Sequence, residues 1–123
     1  MKIYSLGSFV VFKRKQKNIT ARQLANKLGI SNTYLCEIEK NKKHFFSNSI
    51  TNKMIIVLCD DYEEECLLYD LIAIGRKDIA IDIQQYLIDT EVARKAVRIA
   101  KKYKISDEIW EKFISDITLK SFK

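Results

Sequence analysis

The chain has 123 residues, is 47% hydrophobic and carries a net charge of +6, with no proline, three glycines and three cysteines. That is long enough for one compact core or a small domain with an extension, and too poor in turn residues for a many-stranded protein. The scattered odd cysteines exclude a disulfide framework, and the longest apolar run, Met54 to Cys59, is far short of the roughly 20 residues that cross a bilayer.

The net charge conceals a division. Residues 1–56 carry eleven Lys and Arg against only Glu37 and Glu39, a net of +9, whereas residues 57–123 carry eleven basic and fourteen acidic residues, a net of −3. A surface for a polyanion is therefore expected in the first half, and Lys101, Lys102 and Lys104 in the second are read as an ordinary solvated face. No convincing signal peptide is seen, because Gly7 and Ser8 break the apolar letters near Phe9 to Phe12 and no small-residue cleavage site follows. A cytoplasmic protein without a membrane segment is expected.

Eight helical segments are predicted. Gly7 to Lys17 comes first, with Phe9, Val10 and Phe12 apolar and basic residues at its end, where cations suit the helix dipole. Thr20 and Gln23 make a capping box for a second helix, in which Leu24, Ala25 and Leu28 share a face. Gly29 ends it by accepting positive φ, and Ser31 caps a third helix. Stepping about 100° per residue along that helix puts Tyr34, Leu35 and Ile38 on one side and Asn32, Thr33, Cys36, Glu37 and Lys40 on the other. Two short helices joined by a tight turn, with a polar face free on the second, suit the DNA major groove.

Asn41 to Asn48 reads as a basic loop whose Phe45 and Phe46 either pack on the domain, anchor a partner or touch DNA sugar, with packing given most weight. A fourth helix follows at Ser49 to Leu58. A fifth, capped by Asp60 or Asp61, runs to about Ile74 with Tyr62, Cys66, Leu67, Tyr69, Leu71 and Ile74 around its circumference. Gly75 to Asp78 is a soft boundary. DIAIDIQQYLI continues beyond it, then Thr90 caps a helix through Lys104 and Ser106 one through about Lys120. In the last, Ile109, Trp110, Phe113, Ile114 and Ile117 form a stripe that wants a partner surface.

The joint order of Ala25, Gly29 and the aliphatics Leu24, Leu28, Ile30, Leu35 and Ile38 resembles the helix-turn-helix domain of the Cro/CI, or XRE, class of phage and mobile-element regulators. Residues 67–114 also resemble the C-terminal extension of one bacterial subgroup of these regulators. The resemblance implies an all-α fold: a five-helix lambda-repressor-like DNA-binding domain at 1–75, then a helical extension at 76–123 for dimerisation or partner binding. It places base contacts on Asn32, Thr33, Glu37 and Ala21, whose chemistry suits adenine, the thymine methyl and cytosine N4. Phosphate contacts fall on Thr20, Lys40, Lys42 and Lys43. Arg14 and Glu39 match a scaffold ion pair between the first and third helices. Lys40-Asn41 and the loop without proline depart from the family's Asn-Gly and later proline, which leaves the loop shape open.

The expected function is sequence-specific double-stranded DNA binding by a transcriptional regulator, a repressor acting as a homodimer on a palindromic operator. The alternative is a helix-turn-helix antitoxin or inhibitor whose main partner is a protein, held through the C-terminal helices. Catalysis, a cofactor and a metal site are not expected, since His44 is the single histidine, Cys59 and Cys66 lack zinc spacing, and no phosphate loop is present.

Overall fold

The computed structural model describes residues 5–121, with the side chains of the last two of these left undescribed; residues 1–4 and 122–123, assigned above to the two ends of the chain, lie outside the described residues. Eight helices and no strand occur among the described residues: α1 (Leu6–Gln16), α2 (Ala21–Leu28), α3 (Asn32–Glu39), α4 (Asn48–Leu58), α5 (Tyr62–Arg76), α6 (Ile81–Asp89), α7 (Glu91–Tyr103) and α8 (Asp107–Ser121). Two compact units divide the chain, residues 1–84 and 85–123.

Local chemistry explains most helix starts. Thr20 accepts from the Gln23 N–H while Gln23 reaches back to the Thr20 N–H, both near 3 Å. Ser31 accepts from Tyr34, Ser47 from Ile50 and Asp61 from Glu64. Between the two aspartates open to the sequence reading, Asp61 is the cap, and the N–H of Asp60 donates instead to Glu64. A capping box that the sequence reading missed starts α1, where Ser5 and Ser8 satisfy each other. Thr90, expected to cap α7, makes no side-chain cap bond. The Arg94 guanidinium turns back to the carbonyls of Leu87 and Ile88, where α6 ends.

The core of the first unit draws on α1 through α5: Phe9 and Val10, Leu24, Ala25 and Leu28, Leu35 and Ile38, Met54 and Leu58, then Leu68, Leu71 and Ile72. The apolar residues expected all around α5 are sorted by the structure, which buries Leu71 together with Leu68 and Ile72 and leaves Tyr62, Leu67 and Ile74 exposed. Phe46 packs against the core as expected, but Phe45 is 71% exposed. The two rings flank the Arg76 guanidinium at 5.3 and 5.1 Å, and that group donates to the carbonyls of His44 and Phe46.

The boundary expected at 75/76 does not interrupt the chain there. Helix α5 passes through Gly75 and ends with Lys77 in the left-handed region, where the N–H groups of Lys77 and Asp78 return to Ile74 and Ala73. Ala80 is buried and Gln84 donates to the Ile79 carbonyl, so this stretch belongs with the first unit and the division falls within α6. Gly75 is small because the imidazole of His44 lies against it; an added Cβ would stand 2.5 Å from Nδ1.

In the second unit, exposed apolar side chains are numerous: Val92, Val97, Ile99 and Tyr103 on α7, and Ile109, Phe113, Ile114 and Ile117 on α8. Trp110 is half-buried and meets Phe113 edge to face at 5.9 Å. No described helix is long and apolar enough to cross a membrane.

Candidate nucleic-acid interface

Helix α3 is fastened from three directions, and each fastening leaves the same side free. Ser31 holds its start, Leu35 and Ile38 sink into the core, and Tyr34 lies partly inside beneath the Lys43 ammonium, 5.1 Å from its ring. Asn32, Thr33 and Cys36 are exposed and Glu37 half-exposed. With Lys40 they span an arc of about 140° on a helix of 3.6 residues per turn. Glu39, at the edge of that arc, is turned away: Arg14 forks onto its carboxylate at 2.9 and 3.3 Å and also donates to the Ile19 carbonyl. A carboxylate that would repel a phosphate is thereby neutralised, and the end of α3 is tied to α1.

The end of α3 shows how the loop departs from the glycine pattern. Asn41 adopts φ 60°, and the N–H groups of Asn41 and Lys42 return to Ile38 and Glu37. Asparagine tolerates this left-handed geometry better than most residues, so it fills a position usually given to glycine. Its side chain has a second task, accepting from the Gly7 N–H at 2.9 Å and donating to Ser5 Oγ at 3.1 Å. Gly7 is required at this crossing, since a Cβ there would lie 2.3 Å from the Glu39 carbonyl oxygen.

At the start of α2, the N–H of Thr20 donates to Gln23 and its hydroxyl oxygen accepts from the Gln23 N–H, which leaves the hydroxyl proton to donate elsewhere. The N–H groups of Ala21 and Arg22 take no acceptor among the described residues and point to where a phosphate would gain from the helix dipole. Arg22 is exposed and lines an open groove of about 500 Å³ between α2 and α3 with Gln23, Ala25, Asn26, Ile30 and Asn32. The sequence reading placed Asn32 in this site but missed Arg22, Gln23 and Asn26, whose helical spacing at 22, 23 and 26 puts them on the face opposite Leu24 and Leu28.

The basic excess is smaller at the surface than in the sequence. Lys13 is 1% exposed and its ammonium sits between Asp60 at 2.8 Å, Glu64 at 2.9 Å and Gln16 at 2.7 Å. Burial acts to lower its pKa, but the hydrogen bonds and charges of Asp60 and Glu64 outweigh burial and raise it. Hydrogen bonds from Lys13 and Lys17 hold Asp60 down at about 2. Lys13, Arg14 and Lys17 are thus scaffold cations. Lys15, Arg22, Lys27, Lys40, Lys42, Lys43 and Lys53 have no carboxylate partner among the described residues. Lys40 and Lys42 are exposed and Lys43 half-buried over Tyr34.

Residues 12–45 match the helix-turn-helix family. These residues include α2, the turn at Gly29 and α3, so the match and the geometry agree on a helix-turn-helix in this segment. The chain is also similar to one in a solved SinR protein/SinI protein complex, at 20% identity over 96% of this chain and 99% of that one, with a TM-score of 0.44. No curated protein matches.

Proposed function

We propose that this chain is a sequence-specific double-stranded DNA-binding regulator that represses transcription by occupying a palindromic operator as a homodimer. The observation that carries the reading is the free arc of α3, from which the one flanking carboxylate, Glu39, has been withdrawn by Arg14. In this reading Asn32, Thr33 and Glu37, with Ala21 beside them, reach base edges; the N–H groups at the start of α2 and the side chains of Lys40, Lys42 and Lys43 hold phosphates. The two recognition helices of a dimer address half-sites roughly 34–36 Å apart. Control then comes from occupancy of a promoter, with no catalytic step. The extension, expected at 76–123 and separate as a unit from residue 85 on, supplies the dimer contact, which accounts for its exposed apolar residues.

The test is selection of bound duplexes from a random library, followed by salt-dependent gel-shift titration on the selected site. Asn32→Ala with Thr33→Ala should relax sequence preference, each lost base contact being worth about 1–3 kcal/mol. Lys42→Gln should weaken all duplexes alike and flatten the salt dependence by about one phosphate contact. Absence of duplex binding by the wild type at low salt refutes the proposal. A second reading, an antitoxin or inhibitor bound to another protein, draws support from exposed Ile109, Phe113, Ile114 and Ile117. A monomer in solution whose extension resists proteolysis only with a partner protein would favour it.

A further inference from the structure

Helix α7 is the cationic exception in an acidic half. Residues 57–90 carry two basic and nine acidic residues, whereas residues 91–104 carry Arg94, Lys95, Arg98, Lys101, Lys102 and Lys104 against Glu91 alone. At about 100° per residue, Lys95, Arg98, Lys101 and Lys102 fall within one stripe of about 120°, in which Glu91, one turn before Lys95, is the single acidic residue and leaves an excess of three cations. Val92, Ala96, Val97, Ile99 and Tyr103 take the other side. Those four cations are exposed, and none has a carboxylate within 4.0 Å among the described residues. An ordinary solvated face mixes signs and gains from i,i+4 pairs of opposite charge. Here Lys95 with Arg98, and Arg98 with Lys101 and Lys102, are like-charged at i,i+3 or i,i+4, an arrangement that destabilises an isolated helix and is relieved by a bound polyanion.

We infer that the Lys95–Arg98–Lys101–Lys102 stripe of α7 is a second DNA-backbone contact, separate from α3, that grips phosphates without reading sequence. The inference rests on the DNA-binding reading above. A basic amphipathic helix also suits an anionic membrane, but such helices bury Trp, Phe and Leu. The apolar side of α7 has Ala93, Ala96 and Ala100 among Val and Ile, small residues suited to close helix packing. The phosphate backbone is therefore the better match for the stripe.

The experiment uses the full chain and a Lys95→Gln, Arg98→Gln, Lys102→Gln triple variant, with helicity checked by circular dichroism. Binding to a random-sequence duplex is titrated across salt. The expected result is a log K against log[salt] slope reduced by about 0.9 per lost phosphate contact, hence by about 2–3, with unchanged preference between selected and random duplexes. Lys112→Gln on α8 serves as a control and should leave the slope unaltered. An Asn32→Ala, Thr33→Ala variant should lose preference yet keep the part of the slope that depends on α7. If wild type binds duplex and the triple variant has the same slope, this inference fails while the α3 reading stands. If wild type binds no duplex, both fail. An unchanged DNA slope with lost binding to phosphatidylserine vesicles would overturn the inference in favour of a membrane contact.

Discussion

Replacing Gly7 by alanine sets two effects of opposite sign against each other. Alanine is the better helix former by about 0.5–1 kcal/mol in a helix interior, and Gly7 is the second residue of α1. Against that gain, the new Cβ would stand 2.3 Å from the Glu39 carbonyl oxygen, 2.8 Å from its carbonyl carbon and 2.9 Å from Asn41 Oδ1. Ordinary contact begins near about 3.5 Å, so α1 and the end of α3 must part by roughly 1.2 Å. Both sides of the clash are backbone or a side chain already hydrogen-bonded, so little can yield locally. Overpacking of this kind costs about 1–3 kcal/mol, and loss of the Asn41 to Gly7 bond adds about 1 kcal/mol. The net expectation is a loss of about 1–3 kcal/mol, read as a fall in Tm of roughly 5–20 °C for a domain of this size. Thermal unfolding followed by circular dichroism measures it, with Asn41→Gly as a control that deletes the bond, keeps the backbone geometry and should lose only about 1 kcal/mol. A Gly7→Ala melting temperature equal to or above wild type would show that helix propensity wins and that the α1–α3 crossing is not tight.

Further expectations concern charge, thiols and helix ends. Asp60 is ionised in the folded chain down to about 2, against 3.8 when unperturbed, so its contribution to stability is present above 3.8 and is lost as pH falls toward 2. Melting curves between those values should therefore fall more steeply for wild type than for Asp60→Asn, and parallel curves would remove the Lys13–Asp60–Lys17 cluster from the account. Cys36 is exposed on the free arc of α3, whereas burial pushes the Cys59 thiol up to about 12. Alkylation near neutral pH should modify Cys36 first and leave Cys59 slow, and bound duplex should protect Cys36; undiminished labelling in the complex would contradict insertion of α3. Lys104 ends α7 with φ 49°, so Lys104→Gly should raise stability by up to about 1 kcal/mol if the second unit unfolds cooperatively, a gain visible in chemical denaturation.

Sequence chemistry is most legible where it is local. Thr20 with Gln23, Gly29 and Ser31 announce α2, the turn and α3, because a cap needs only residues within three positions of itself. The inward and outward faces of α3 are legible for the same reason, since they follow from helical period alone. Pairings made through space are not. Nothing adjacent to Lys13 marks it as a buried ion, because Asp60 and Glu64 lie 47 and 51 positions away. The role of Asn41 as a cap for α1 is hidden likewise, its bond to Gly7 spanning 34 residues. On α5, apolar letters surround the helix, so its period alone could not choose Leu68 and Ile72 over Leu67 and Ile74. Lys77 and Lys104 occupy left-handed positions that carry no glycine or asparagine to announce them.

The same distinction bears on the candidate interface. Counting charges along the chain assigns eleven cations to the first half, yet a cation serves a polyanion only if no carboxylate of the same fold has claimed it. Lys13, Arg14 and Lys17 are claimed; the first two stand on α1 and the third follows its last residue, and they face Glu39 of α3 or the carboxylates at the start of α5. What the pairing removes from the cationic surface it returns as geometry: Arg14 withdraws Glu39 from the edge of the recognition face, and Lys13 fixes α1 to the start of α5. An Arg14→Lys variant separates the two contributions, because lysine keeps the charge but cannot make the two-pronged contact with Glu39. If the role of Arg14 is geometric, Arg14→Lys should lower operator preference and thermal stability together while the salt slope of duplex binding stays as in wild type. A fall in slope with preference intact would instead place Arg14 among the phosphate contacts.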